Sequence, residues 1–277
     1  MMNMMRSYWM FLNRPASVLS VTSGISSLPN FLRDTSSFAV LFSLIFLLVN
    51  PLLSTLFARK FSGFPERKKK ELPSYVLCLV HHIVAVPFAW RKIVTDMNLG
   101  EEAAAMVDYA PITAIIAPWC IAYLIADTTF FAIPEALTGK FEYIIHHFLT
   151  LFLVTSSLFA PGSILRFIPH LLISDTTNIF FNTAWLIRLF GGKRTFILIF
   201  LEVLFAVSFL LIRAINMPCM FWALGSQAEG LGLARYVLIP IAVMQWYWLF
   251  KILRTIAARF TVIAPQAESV PSLKKED

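Results

Sequence analysis

The sequence is short of charge. Of its 277 residues, 14% are Asp, Glu, Lys or Arg and 58% are hydrophobic, with a mean hydropathy of +0.73. Soluble domains carry about a quarter charged residues, so an ordinary soluble domain is excluded. Cysteine is scarce as well. Cys78, Cys120 and Cys219 are odd in number, lack ligand spacing, and two of them lie in apolar runs. That argues against a disulfide framework and against a zinc site, and favours buried apolar cysteine. The chain has no internal repeat, no low-complexity tract and no loop long enough for a second domain. No acid precedes Asp34. With Arg6, Arg14 and many serines, the first 37 residues fit either a transit peptide or a plain tail with an amphipathic patch around Tyr8 and Trp9.

What the chain has is a succession of long apolar runs. Each is long enough to cross ~30 Å of hydrocarbon. A backbone at that depth must bond to itself, and the runs lack the ten-residue alternation of barrel strands, so they read as helices. The expectation is an all-α membrane protein of about seven transmembrane helices, at 38–58, 74–91, 110–131, 143–160, 167–187, 195–215 and 235–250. Residues 1–37 are then an N-terminal tail, 38–258 the membrane domain and 259–277 a C-terminal tail. Pro118, Pro169 and Pro240 fall inside these spans and are expected to kink them.

The net charge of +7 points to basic loops at a membrane leaflet rather than to nucleic acid. Seven spans sort the 23 lysines and arginines into eight on the N-terminal side and fifteen on the C-terminal side. Six of the fifteen are Arg59, Lys60, Arg67, Lys68, Lys69 and Lys70 in the first loop. The positive-inside rule therefore expects a lumenal N-terminus and a cytosolic C-terminus. The chain ends Lys274-Lys275-Glu276-Asp277. This resembles the dilysine retrieval signal of endoplasmic-reticulum membrane proteins, which implies the COPI coat as a partner and the endoplasmic reticulum as the address.

Ionisable groups at membrane depth are costly and mark candidate sites. His81 and His82 lie in the second span, Tyr123 and Asp127 one turn apart in the third, His146, His147 and Thr150 in the fourth. The fifth holds His170, Asp175, Asn178 and Asn182, the sixth Glu202 and Arg213, the seventh Gln245. On the alternating topology most of these fall in the cytosolic half, where a pocket would admit a lipid head and an acyl chain. Arg213 has two readings, snorkelling to an interface or pairing with a carboxylate. Trp90 and Trp248 fit an aromatic belt.

Taken in order, these residues resemble the TLC-domain family of endoplasmic-reticulum membrane proteins, which includes ceramide synthases and several small lipid-homeostasis proteins. Tyr123-Leu-Ile-Ala-Asp127 resembles the family's third-span Tyr-x-x-x-Asp, and His146-His147 its histidine pair. Asp175, leading to Phe180-Phe181-Asn182, resembles an acid followed by Phe-x-Asn. Arg213 followed by Pro218 resembles a late-sixth-span Arg and Pro, and His81 or His82 a second-span histidine. Two departures stand out: Thr183-Ala184-Trp185 replaces the usual x-Arg-Trp, and the synthases' adjacent His-Asp pair is missing, since His170 and Asp175 are five residues apart. The pattern is closer to the small lipid-homeostasis proteins.

The resemblance implies a six-helix bundle with a central cavity plus one N-terminal helix. It implies a protein that binds or processes membrane lipids, sphingolipids among them, with His81, His82, Tyr123, Thr150, Asn178, Asn182 and Arg213 as lipid-binding candidates. The alternative is a ceramide-synthase-like acyltransferase with acyl-CoA as co-substrate. There His146 or His147, held by Asp127 or Asp175, takes the acceptor's proton or the acyl group. Adjacent helical residues point about 100° apart, so one histidine of each pair is expected to face the reacting atom and the other to orient or pack. No metal or cofactor is expected. A seven-span receptor or a transporter is the remaining alternative. The retrieval-like tail opposes the first, and the lack of paired halves with broken helices opposes the second.

Overall fold

In a computed structural model, the described residues are 28–98, 110–158, 167–191, 195–226 and 236–263. They are helical apart from short turns, and no strand occurs among them. The readings of the far N-terminal tail and of Lys274 and Lys275 lie outside the described residues.

The first helix, α1 (Leu28–Leu56), starts ten residues before its expected span. Its opening turns carry Pro29, whose missing N–H costs nothing there, and the exposed Arg33–Asp34 pair at 3.0 Å. A short α2 (Ala58–Ser62) leads to α3 (Glu66–Asn98), which also starts early. Ion pairs Lys69–Glu66, Arg67–Glu71 and Lys68–Glu71, three or four residues apart, support its first turns. These charged turns lie beyond the apolar run, which is why the run alone undercounts the helix.

The third span is α4 (Ala110–Asp127), a π-helical stretch Thr128–Ala132 and α5 (Ile133–Leu137). Gly139, at φ 91°, makes the turn into α6 (Phe141–Leu158), a conformation open to glycine without strain. The fifth span is α7 (Phe167–Leu172), a 3₁₀ turn Ile173–Asp175 and α8 (Thr176–Gly191). The sixth is α9 (Phe196–Ser208), a π-helical stretch Phe209–Asn216 and α10 (Met217–Ser226). Thr195 caps α9 by accepting from the Leu198 N–H. The seventh, α11 (Leu238–Ile263), runs thirteen residues past its expected end. Pro240 is its third residue, where an N–H has no helical partner, so Pro240 opens the helix rather than kinking it.

Helices α3, α4, α6, α11, the α9–α10 rod and α7–α8 contact one another in a closed ring, and α1 lies outside it across α3 and α4. Phe42 of α1 is fully buried and packs edge-on to Trp119 of α4 at 4.6 Å. Leu44, Leu47, Leu48 and Leu52 on the outer side of α1 are exposed, as are Ile199, Val203 and Leu210 on the sixth span. Four helical stretches, Leu28–Leu56, Glu66–Thr95, Ile116–Leu137 and Phe196–Ala223, are long and apolar enough to cross a bilayer, and Phe141–Ser156 is a shorter apolar helix. Apolar faces turned outward with polar groups turned inward are what a hydrocarbon solvent requires. The protein is an all-α, multi-pass membrane protein.

The odd-numbered connections gather at one end. Lys60 donates to the Phe190 carbonyl, Lys251 pairs with Glu142 at 3.1 Å, and Arg188 pairs with Glu202. This is the end on which charge counting placed fifteen basic residues.

Candidate functional site

Most of the polar residues at membrane depth meet inside the helix ring. They line a cavity of about 750 Å³, its open mouth included. Every span of the ring contributes. His81 and His82 come from α3, Tyr123 from α4, and His146, His147 and Thr150 from α6. Asp175 and Asn178 come from the fifth span, Arg213 from the sixth and Gln245 from the seventh. Leu124, Leu153, Val154, Leu171, Met217 and Ile241 supply its apolar wall.

Two carboxylates organise this set, each through a different histidine. Asp127 is 4% exposed and sits behind the wall rather than in it. Its Oδ1 accepts from the Ser74 hydroxyl at 2.6 Å, and its Oδ2 lies 3.2 Å from His147 Nε2. Of Asp127 and Asp175, it is thus Asp127 that bonds a fourth-span histidine, His147. Asp175 turns instead to the second and sixth spans. Its Oδ2 lies 3.3 Å from His82 Nε2, and its Oδ1 accepts from Arg213 at 3.1 Å and Asn178 at 3.2 Å.

Arg213 is 5% exposed and does not snorkel. Its remaining N–H groups donate to the Ser174 carbonyl at 2.9 Å and to Gln245 Oε1 at 3.3 Å. One guanidinium therefore ties spans five, six and seven together. A planar five-donor group suits this and an ammonium does not. Asp175 closes a 3₁₀ turn, Arg213 sits in a π-helical stretch, and Asp127 immediately precedes the other. Such departures from α geometry re-aim side chains and concentrate at functional sites.

All four histidines line the cavity, both members of each adjacent pair included. The cavity curves far enough around α3 and α6 to meet neighbours about 100° apart. In each pair one ring bonds a carboxylate and the other packs on an aromatic. His81 stacks on Tyr123 with centroids 4.1 Å apart, and His146 meets the Trp248 ring edge-on at 5.0 Å. Trp248, expected in an interfacial belt, thus packs against a cavity-lining ring. The Nδ1 atoms of His81, His146 and His147 are buried and lack a hydrogen-bond partner among the described residues.

Asn182 lies outside the cavity lining and donates to Cys78 Sγ at 3.0 Å. His170, although 2% exposed, does not line it either. Ser74, Ser174 and Gln245 belong to the network; Gln245 stands among the polar residues at membrane depth that the sequence marks, and the two serines do not. Gln245 had a legible signal, an amide in a membrane span, whereas a serine in an apolar helix has none. His81, His82 and Asp175 form a group of metal-ligating type, with ligand atoms within 4.8 Å. Both ring nitrogens of His82 already have partners and Arg213 neutralises Asp175, so the donors suit a proton network better than a cation.

The TLC domain family profile matches residues 72–254, about two thirds of the chain and all of the helix ring but the ends. The chain belongs to the TLC domain family. It is similar to a zebrafish (Danio rerio) protein, TLC domain-containing protein 4-B, with 25% identity over 225 residues, covering 77% of this chain and 84% of that relative. Helix α1 precedes the matched region.

Proposed function

We propose that this protein resides in the endoplasmic-reticulum membrane, binds a lipid in the ring cavity and acts in membrane lipid homeostasis. One observation carries this reading. A cavity at membrane depth joins a charged and imidazole-rich wall to a wall of Leu, Val, Ile and Met side chains. Such a cavity matches an amphiphile, with its polar head on Arg213, Asn178 and the histidines and its chain on the apolar side. The basic end of the bundle faces the cytosol on this reading, and the terminal dilysine acts there as a retrieval signal. Lipid profiling of cells lacking the protein tests it. Wild-type protein should restore the profile, and a cavity-filling Thr150→Trp variant that folds and reaches the same membrane should not. Full restoration by that variant would contradict the reading.

A specific observation favours a second reading, acyl transfer from acyl-CoA. Ser74, Asp127 and His147 form a relay whose last nitrogen, His147 Nδ1, has no partner. A carboxylate holding Nε2–H leaves Nδ1 basic, in position to take a proton from an acceptor amine or hydroxyl. Purified protein with labelled acyl-CoA and a sphingoid base or lysolipid decides between the readings. Labelled product that depends on His147 favours catalysis, and its absence with lipid still bound favours binding alone.

A further inference from the structure

Cys78 is not in the cavity wall and takes no part in the function proposed above. Its surroundings are nonetheless those of a nucleophile. Ser74, Cys78 and His82 follow at four-residue intervals and so share one face of α3. Cys78 Sγ lies 3.2 Å from His82 Nδ1, and His82 Nε2 lies 3.3 Å from Asp175 Oδ2. The Asn178 amide nitrogen is also 3.3 Å from Nε2 but donates to Asp175 Oδ1, and the Asp175 carboxylate only accepts, so Nε2 carries the His82 proton and Nδ1 is left as an acceptor facing the thiol. That is the logic of a thiol–imidazole–carboxylate triad: nucleophile, base, and a carboxylate that fixes the tautomer. The Asn182 amide donates to Sγ at 3.0 Å, so a developing thiolate has a donor in place. Cys78 is half-buried, unlike Cys120, and has no disulfide partner.

A second observation ties this thiol to the cavity. His82, which is bonded to it, forms part of the cavity wall. Beside it is His81, 2% exposed, lining the same cavity with its Nδ1 unpartnered and its ring centroid 4.8 Å from that of His82. An unmet buried nitrogen there calls for a polar group from a ligand.

We propose that Cys78, His82 and Asp175 form an acyl-accepting site that takes a long-chain acyl group from an acyl thioester such as acyl-CoA. The Cys78 proton passes to His82 Nδ1 and the thiolate attacks the thioester carbonyl carbon. The new carbon–sulfur bond forms as the bond to the departing thiol breaks, and that thiolate recovers the proton from His82. One thioester replaces another, so no oxidant or further reactant is needed. The proposal rests on the reading that the cavity admits lipid chains.

The test uses the full chain in nanodiscs with alkyne-tagged palmitoyl-CoA. We expect hydroxylamine-sensitive label on the wild type and on C219S, none on C78S, and labelling slowed at least about a hundredfold by H82Q, as loss of a general base implies. Added imidazole should restore labelling of H82G, a rescue that packing alone would not produce. Should the His82 variants fail to fold, N182A serves, with labelling slowed in protein that still elutes as folded, and an unchanged rate there counts against the proposal. Label persisting on C78S, or no label on a wild type that still retains lipid, overturns the proposal and leaves the lipid-binding reading intact. Label on Cys78 without any lipid retention supports the thiol chemistry and overturns the lipid-binding reading.

Discussion

Replacing Arg213 with methionine tests whether one buried guanidinium holds the site together. Methionine keeps much of the stem's volume and removes the charge and its donors. In the wild type those donors reach Asp175 at 3.1 Å, the Ser174 carbonyl at 2.9 Å and Gln245 at 3.3 Å. Breaking a buried ion pair from one side costs about 3–5 kcal/mol, because the other charge stays buried. At about 2 °C per kcal/mol for a chain of this size, R213M should lower the melting temperature by about 6–10 °C. Fluorescence-detected gel filtration after heating in mild detergent measures this directly. Adding D175N removes the stranded carboxylate while keeping an acceptor for Asn178, so the double variant should recover about half of the loss as coupling energy. R213M melting within about 2 °C of wild type, or a double variant additive in its two losses, would show that Arg213 does not hold spans five to seven together.

H146A, H147A and D127N should each abolish the cellular lipid effect while expression and folding stay largely intact, read by lipid profiling beside gel filtration. D127N is the sharpest of the three, since the amide that replaces the carboxylate keeps an acceptor for Ser74 but no longer fixes His147. Phe42→Ala should lower stability by about 3–4 kcal/mol and loosen α1 from the ring, seen as faster proteolysis near residue 57, because Phe42 is fully buried against Trp119. K274S with K275S should release the protein to the Golgi, followed by fluorescence imaging. A C-terminal tag protected from protease in sealed microsomes would contradict a cytosolic C-terminus.

The helix count and most of the wall were legible because the bilayer constrains sequence so strongly. An apolar run of the right length has one secondary structure open to it, and a histidine or aspartate within it has few reasons to be there. Helix ends were less legible. The early start of α3 depends on Lys–Glu pairs beyond the hydrocarbon, and α11 continues through Lys251 and Arg254 past the apolar run. Pairing between spans was the least legible. Spacing put Asp127 and the fourth-span histidines near one level, but it did not assign Asp175 to His82 and Arg213, which depends on a 3₁₀ turn and a π-helical stretch that the sequence does not announce. Cys78 shows the opposite case. Its spacing from His82 was in plain view, yet an apolar context made it read as inert packing until the Asp175 contact gave the imidazole a direction.

The central claim is that the ring cavity holds a lipid, and the most direct measurement is of what the protein carries with it. Wild-type protein and the Thr150→Trp variant would be purified side by side in a mild detergent, and their bound lipids quantified by native mass spectrometry. Thr150 lies in the cavity wall between His146, His147 and Leu153, so an indole there takes the space of the ligand. The wild type should retain about one lipid per chain, and the folded variant should retain none. Equal lipid on both would place the binding elsewhere and leave the buried histidines, Asp175 and Arg213 as a network that only joins helices.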